Sequence, residues 1–363
     1  MTLMVRDEAD VIRPMIEHSF AQGVDRLIVT DNGSVDGTRE ILADLAAVHP
    51  IEVRDDPVHR KQQHTTVTQM ARDAHTRYGA DWVINADADE FWFPVAADTT
   101  LREVFERMPR ELRAVQVPVR DMTGAPARDG TGFRRLIYRD DRSVEDLHAI
   151  GLFAHSTPDM VHVGTPDVTV AQGNHTVDFE PAAPPPDQLR IEVLHLPWRS
   201  WAQFERKVSQ SGRAYESNPD LLPSPNHHGM REYRRWKAGV LLPVYLARHP
   251  DEHQLAAGLA SGAFTRDDRL AGIADPVGDV PFDDVERRIY AEFGRYVVTA
   301  ETTAADAAHA AEERIRALDA ELAQVRSEVV EAHAELGRQK QRRVVRIVDG
   351  VARLRHPVSD RQE

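Results

Sequence analysis

Cysteine is absent from all 363 residues, which excludes disulfides, thiolate metal sites and cysteine nucleophiles together and fits a reducing compartment. Long apolar runs are absent too. No segment approaches the roughly 20 apolar residues of a membrane span, and Arg6, Asp7 and Glu8 follow the first apolar run so closely that no signal peptide is expected in the chain as it stands. Basic residues are the minority, 45 against 59 acidic for a net charge of −14, so no nucleic-acid partner is expected. The remainder, 41% hydrophobic and 29% charged, is ordinary globular composition with chain enough for about two domains. Any metal must be held by carboxylate or imidazole. Two glycosylation triplets, Asn32-Gly33-Ser34 and Asn174-His175-Thr176, read as coincidence, because three-letter matches matter only in a secreted chain.

The first hundred residues alternate short apolar runs with helical stripes. Leu3–Val5, Arg26–Thr30, Ile51–Arg54 and Asp81–Ala86 read as strands. Between them fall Val11, Ile12, Met15 and Ile16 behind Asp10 as N-cap, then Ile41, Leu42, Leu45 and Val48 behind Asp36-Gly37-Thr38, then Val67, Met70, Ala71 and Ala74. Such alternation predicts an α/β fold with a mostly parallel sheet covered on both faces. Further strands are expected at Ala114–Val119, Arg134–Tyr138, Val168–Ala171 and Ile191–Leu196, and a helix through Trp201, Phe204 and Val208. The proline-rich stretch Pro181–Asp187 reads as a surface connection, and punctuation from Pro219 to Pro225 as a boundary. The expected divisions are 1–218, a helical extension over 219–300, a coiled coil over 301–340 and a basic tail over 341–363.

Ala304, Ala308, Ala311, Ile315, Leu318, Leu322, Val325, Val329, Ala332 and Leu336 alternate spacings of four and three, the seam of a coiled coil. A homodimer through this seam is expected; the alternative is one amphipathic helix lying on the first domain. Arg338, Lys340, Arg342, Arg343 and Arg346 follow, interleaved with Val344, Val345, Ile347, Val348, Val351 and Leu354. A basic, partly apolar helix of this kind can make peripheral contact with an anionic membrane, and the other reading is a solvated helix end.

The most informative segment is Asn85-Ala-Asp-Ala-Asp-Glu-Phe91, where a buried strand runs out. In extended chain Asp87 and Asp89 point the same way while Ala88 turns into the core. Their mutual repulsion is relieved by a hard cation, Mg²⁺ or Mn²⁺, which takes further ligands from phosphate and water. Solvated loop acids are the bland reading, opposed by the apolar Phe91-Trp92-Phe93 that follows. The turn Asp31-Asn-Gly-Ser-Val-Asp-Gly-Thr38 follows another strand, and Arg6-Asp7-Glu8 follows the first. Open parallel sheets bind ligands beyond the carboxyl ends of their strands, so the three clusters converge on one crevice. There Asp31 can accept from a base imide or a ribose hydroxyl.

Taken in order, "VRDEADVI", "GVDRLIVTDNGSVDGT" and "DWVINADADEFW" resemble the family-two glycosyltransferases of GT-A fold, in the branch whose acidic motif reads "DADEF". The likeness continues through "GNH" at Gly173–His175 and "IEVLHLPWRSWAQFERK" at Ile191–Lys207, about the first 215 residues. It implies a Rossmann-like nucleotide-diphospho-sugar transferase domain at 1–218; the absence of cysteine and the basic tail point separately to a cytoplasmic location, at the inner face of a membrane where the tail makes contact. The implied reaction passes a sugar from a nucleoside diphosphate to a glycan, lipid or small-molecule acceptor with inversion. By the same resemblance Met4, Arg6, Glu8, Asp31 and Asn32 line the nucleoside pocket. Asp87 and Asp89 hold Mn²⁺ or Mg²⁺ on the diphosphate, with Ala88 between them, and His195 completes the metal site, a role for which His175 competes. Arg199 and Lys207 are placed to neutralise the diphosphate, the other reading being charges on a helix surface. Glu90 sits in the donor and acceptor region, and Glu145-Asp146 matches, in only three letters, an acidic base motif of related enzymes, the other reading being a loop acid pair. Leu152–Ser156 and Thr176 depart from the family pattern, which leaves the acceptor end open. A non-catalytic coiled-coil scaffold that binds nucleotide sugar or glycan is the alternative, and a metal phosphohydrolase ranks last because Glu90 breaks its motif.

Overall fold

The apolar runs that punctuate the sequence become strands in the order that the alternation predicts. The computed structural model describes residues 1–56, 63–153, 156–216 and 228–355. Its first half runs β1 (Thr2–Val5), α1 (Ile12–Ala21), β2 (Leu27–Asp31), α2 (Thr38–Ala46), β3 (Ile51–Asp55), α3 (Gln63–Thr76), β4 (Trp82–Ala86), β5 (Glu90–Pro94), α4 (Leu101–Arg107), β6 (Ala114–Val117) and β7 (Val119–Thr123). Then come β8 (Ala127–Asp129), β9 (Tyr138–Asp140), α5 (Val144–Ala149), β10 (Asp159–Val163), β11 (Ile191–His195), α6 (Trp201–Glu216), α7 (His228–Lys237), α8 (Leu241–Arg248), α9 (Glu252–Ser261), β12 (Phe264–Arg266), β13 (Val280–Pro281) and α10 (Asp284–Arg355).

The main sheet has the order β3-β2-β1-β4-β10-β6, with β1 to β4 parallel and β10 antiparallel to both neighbours. Strand β2 is buried at all five positions because both faces are covered. Leu27 and Val29 pack with Ile12, Met15 and Leu42 of α1 and α2, while Ile28 packs with Val67, Met70 and Ala71 of α3. The parallel register pairs Val5 with Asp31 and Asp31 with Asp55, so the loops after these strands emerge along one edge. A second sheet, β12-β9-β7-β11-β5, sets His195 opposite both Glu90 and Asp121.

Several expected elements differ, each for a local reason. Val11, not Asp10, takes the N-cap position of α1, since the Asp10 carboxylate accepts from Arg199 instead. The run Ala114–Val119 is split at Pro118, which has no N–H for a ladder, into strands of two different sheets. Only Tyr138 of the expected strand Arg134–Tyr138 is in a strand, because a turn around Gly132 intervenes. Val168–Ala171 reduces to a single bridge, Val170 with Val177.

Residues Met1–Thr299 form one compact unit and a second begins at Ala300. Of the expected extension over 219–300, the described residues 228–299 belong to the first unit: Phe204 and Val208 of α6 share a core with Tyr233, Leu241 and Tyr245. The expected boundary at Pro219–Pro225 lies outside the described residues, as do 356–363 of the expected basic tail. Among the described residues no helix is long and apolar enough to cross a membrane.

A buried ionic knot fastens the second sheet. Arg269 and Arg139 both bridge Glu192 and Asp267, at 2.7–2.8 Å. Burial alone would raise the Asp267 carboxyl, but Arg269 and Arg139 outweigh it and lower it from 3.8 to about 2. A depressed folded-state value contributes stability above the unfolded value, and that stability is lost as pH falls through the folded one. Between pH 4 and 2 the chain should thus lose about 1–2 kcal/mol through this group. Asp267→Asn should be less stable at pH 7 and show a flatter stability profile over that window in urea titrations; an unchanged profile would remove the knot from the account.

Candidate active site

The loop after β1 is held by its own carboxylates. Asp7, at a φ of 55°, is buried, and its two oxygens accept from Val35 N (2.8 Å) and Gln210 Nε2 (2.6 Å). Asp7 N donates to Ser34 Oγ, which joins this loop to the turn after β2. Asp31 closes that turn by accepting from Ser34 N at 3.2 Å and lies 3.5 Å from Arg39. Its Oδ2 is buried with no hydrogen-bond donor among the described residues. Asn32, expected beside the nucleoside, bridges β2 and β3 by donating to Asp56 O.

The turn between β4 and β5 carries the acid cluster. Ala88 is buried in the main core, as the alternation requires, so Asp87 and Asp89 turn outward from it. Asp89 is met by cations: Lys207 Nζ lies 3.0 Å from Oδ2, His195 Nε2 3.7 Å from Oδ1, and Arg199 3.9 Å from Oδ2. Burial alone would raise its carboxyl, but Lys207 and His195 hold it well below the usual range. Asp87 differs. It accepts from Asn174 Nδ2 at 3.2 Å, and burial, then the charge of Asp89, push its carboxyl up to about 6. Glu90 accepts from Asp87 N at 3.0 Å, and burial with Asp159 and Asp87 raises it well above the ordinary carboxylate value.

His195, the last residue of β11, is oriented from behind. Its Nδ1 lies 2.7 Å from Asp121 Oδ1, and Ser156 Oγ donates to the same carboxylate oxygen. Burial disfavours the imidazolium, yet Asp89 and Asp121 raise its pKa well above the usual value. The ring is thereby fixed with Nε2 toward Asp89. His175 faces a different acid, Asp159, at 2.9 Å. Of the two histidines that compete for the metal role, only His195 stands beside Asp89.

Two cavities meet at this cluster and share Asp87, Lys207 and Ser211. The smaller, about 260 Å³, is lined by Met4, Arg6, Glu8, Ala88, Asp89 and Arg206 among others. The larger, about 510 Å³, is lined by Glu90, Asp121, His175 and His195, with Phe153, Trp198 and Phe204 as apolar walls. Two expectations are corrected. Arg199 does not face a ligand: its side chain is fully buried, clamped on Glu8 and Asp10, because a guanidinium can satisfy two carboxylates at once. Glu145 and Asp146 are exposed in the first turn of α5, where Ser143 caps Asp146 N, and neither lines either cavity. The departures expected around Leu152–Ser156 fall partly on residues 154–155, outside the described residues. Asp121, Asp159 and Gln210 are site residues that the sequence did not single out. Each reaches the cluster through long-range packing.

The fold and site together define an α/β protein with an acid cluster and facing cations at the carboxyl edge of a parallel sheet. Residues 1–137 match the family model for glycosyltransferase family 92, less than half of the chain. No curated protein matches. Among solved structures, S. aureus TarS 1-349 is 9% identical with a TM-score of 0.33, over 69% of this chain and 80% of that one. Its complex with UDP-GlcNAc gives 10%, 0.34, 69% and 81%. TM-scores of this size do not bear on function.

Proposed function

We propose that the chain is a glycosyltransferase that takes a sugar from a nucleoside diphosphate and passes it, with inversion, to an acceptor hydroxyl. The observation that carries this reading is the placement of Asp89, on the wall of the smaller cavity beyond the ends of β1, β2 and β4, between His195 of the larger cavity and Lys207, which both cavities share. The family match over residues 1–137 supports it. In this reading the smaller cavity holds the nucleoside diphosphate with Lys207 and Arg206 facing the phosphates, and the nucleoside reaches past the cavity lining to the buried Asp31 Oδ2, which lines neither cavity. The larger, aromatic-walled cavity admits the acceptor, and Glu90, on its wall, takes the proton of the attacking hydroxyl.

A divalent cation is part of the proposal, and the donor set fits it. Asp87 and Asp89 are hard oxygen donors two residues apart, His195 Nε2 faces Asp89, and a cation beside Asp87 would offset both the burial and the neighbouring Asp89 charge that raise its carboxyl to about 6. Among the described residues no three acidic or histidine side chains already stand at metal-holding distances. Mg²⁺ or Mn²⁺ would supply charge for the departing diphosphate, while this chain's part would be to hold it with Asp87, Asp89 and His195, the last as a neutral imidazole that gives up the proton Asp89 and Asp121 otherwise favour, and to fix His195 through Asp121.

The test is a thermal-shift panel of nucleoside diphosphate sugars with and without Mn²⁺, followed by transfer and donor-hydrolysis assays on the binders. One sugar nucleotide should raise the melting temperature only with metal present and should turn over; a panel without any shift overturns the reading. Asp31→Ala should then raise the donor KM by about tenfold or more with little change in kcat, since a nucleoside contact is remote from the bond that breaks. Lost kcat at unchanged KM would remove Asp31 from the nucleoside.

A further inference from the structure

We propose that the segment from Ala304 to Leu336 pairs with the same segment of a second copy of this chain as a parallel, in-register, two-stranded coiled coil. Helix α10 runs without a break through this segment, and every described residue from Thr303 to Ala352 is exposed. The exposure includes large apolar side chains on one stripe: Ile315 at 58%, Leu318 at 45%, Leu322, Val325 and Val329 at 48%, and Leu336 at 50%. A long helix gains most of its stability from burying such a stripe, and a contiguous exposed one marks a docking face.

The spacing puts Ala308, Ile315, Leu322, Val329 and Leu336 at one seam position, and Ala304, Ala311, Leu318, Val325 and Ala332 at the other. Ile315 with Leu318 is the arrangement that favours two strands, whereas Leu322 with Val325 in the next heptad is the reverse, so the seam residues alone do not set the number of strands and sedimentation decides it.

Flanking charges choose the occupant and its direction. The residues just before the first seam position are Arg314, Glu321, Glu328 and Glu335; those just after the second include Asp319, Arg326, His333 and Lys340. In a parallel, in-register pair each residue of the first set faces the residue five positions further along in the partner. Arg314 then meets the partner's Asp319, Glu321 the partner's Arg326, Glu328 the partner's His333, and Glu335 the partner's Lys340. Three of the four pairings are of opposite charge and the fourth sets the Glu328 carboxylate against the His333 ring, and the twofold axis repeats each one. An antiparallel pair instead brings the first set against itself, and three of its four members are glutamates. This self-complementarity identifies the partner as a second copy, independently of any reaction that the first unit performs. Both basic stretches from Arg338 onward then leave the same end of the pair.

The full chain should sediment as a dimer at tens of micromolar. Leu322→Asp should convert it to monomer while leaving the thermal transition of the first unit in place. Glu321→Arg sets like charges opposite each other twice per dimer and should raise the dissociation constant about tenfold. Adding Arg326→Glu to it should restore affinity to within about threefold of the parent. Because the chain has no cysteine, Ala308→Cys gives a clean test of direction. Parallel pairing places the two thiols within disulfide reach and should give near-complete cross-linking with oxidised glutathione. Antiparallel pairing of the same stretch separates them by roughly 36 Å. A monomeric parent, a dimeric Leu322→Asp, a double charge reversal that does not restore affinity, or a dimer that fails to cross-link would each overturn the proposal.

Discussion

Asp89→Asn should lower sugar transfer by a few hundred-fold while the protein remains folded. The substitution keeps the shape of the side chain but removes the charge that faces Lys207 and His195 and that would share the metal on the diphosphate. Electrostatic stabilisation of a departing anion is commonly worth about 3–4 kcal/mol, which sets that magnitude. The check is initial rate at saturating Mn²⁺ and donor, beside circular dichroism and melting temperature. Activity within threefold of the parent, with metal saturating, would take Asp89 out of the reaction and with it the proposed site.

Arg199→Met should cost about 3–5 kcal/mol of stability, because it strips the cation from a buried ionic cluster and leaves its acids behind. Arg199 is fully buried, bonded to Glu8 and Asp10 and 3.9 Å from Asp89. Burial alone would disfavour its charge; Glu8 and Asp10 reverse this and raise its pKa above the ordinary arginine value. A fall in melting temperature of roughly 10 °C is expected. Arg199→Lys should recover only part of it, since one ammonium cannot reproduce the planar fork that reaches two carboxylates. A methionine variant that melts within about 2 °C of the parent would show that the clamp contributes little.

Much of the first hundred residues was legible because a parallel sheet with helices on both faces imposes a strong local pattern. Strands β1 to β4 and most of the stripes of α1 to α3 fall where the periodicity places them, though Val48 lies beyond the end of α2 and is exposed, and Ala88 turns inward between two aspartates that turn outward. Beyond β4 the strands are short and pair antiparallel or across two sheets. Local periodicity is then weak, and the apolar runs Arg134–Tyr138 and Val168–Ala171 look like strands in sequence although the chain mostly forms none there.

The site divides in the same way. The sequence by itself determined the acid cluster at Asp87–Glu90, the turn at Asp31 and their common edge, because strand direction and a two-residue period act over a few residues. Only the tertiary structure decided which charges meet. It placed His195 rather than His175 beside Asp89, set Asp121 behind His195, drew Arg199 off the ligand and into Glu8 and Asp10, and left Glu145 and Asp146 on an exposed helix turn. Arg199 and Asp10 are 189 residues apart in the chain. Charge partners over such separations are chosen by how whole elements pack and by the cost of burying a charge alone, and neither quantity is written in any short window of sequence.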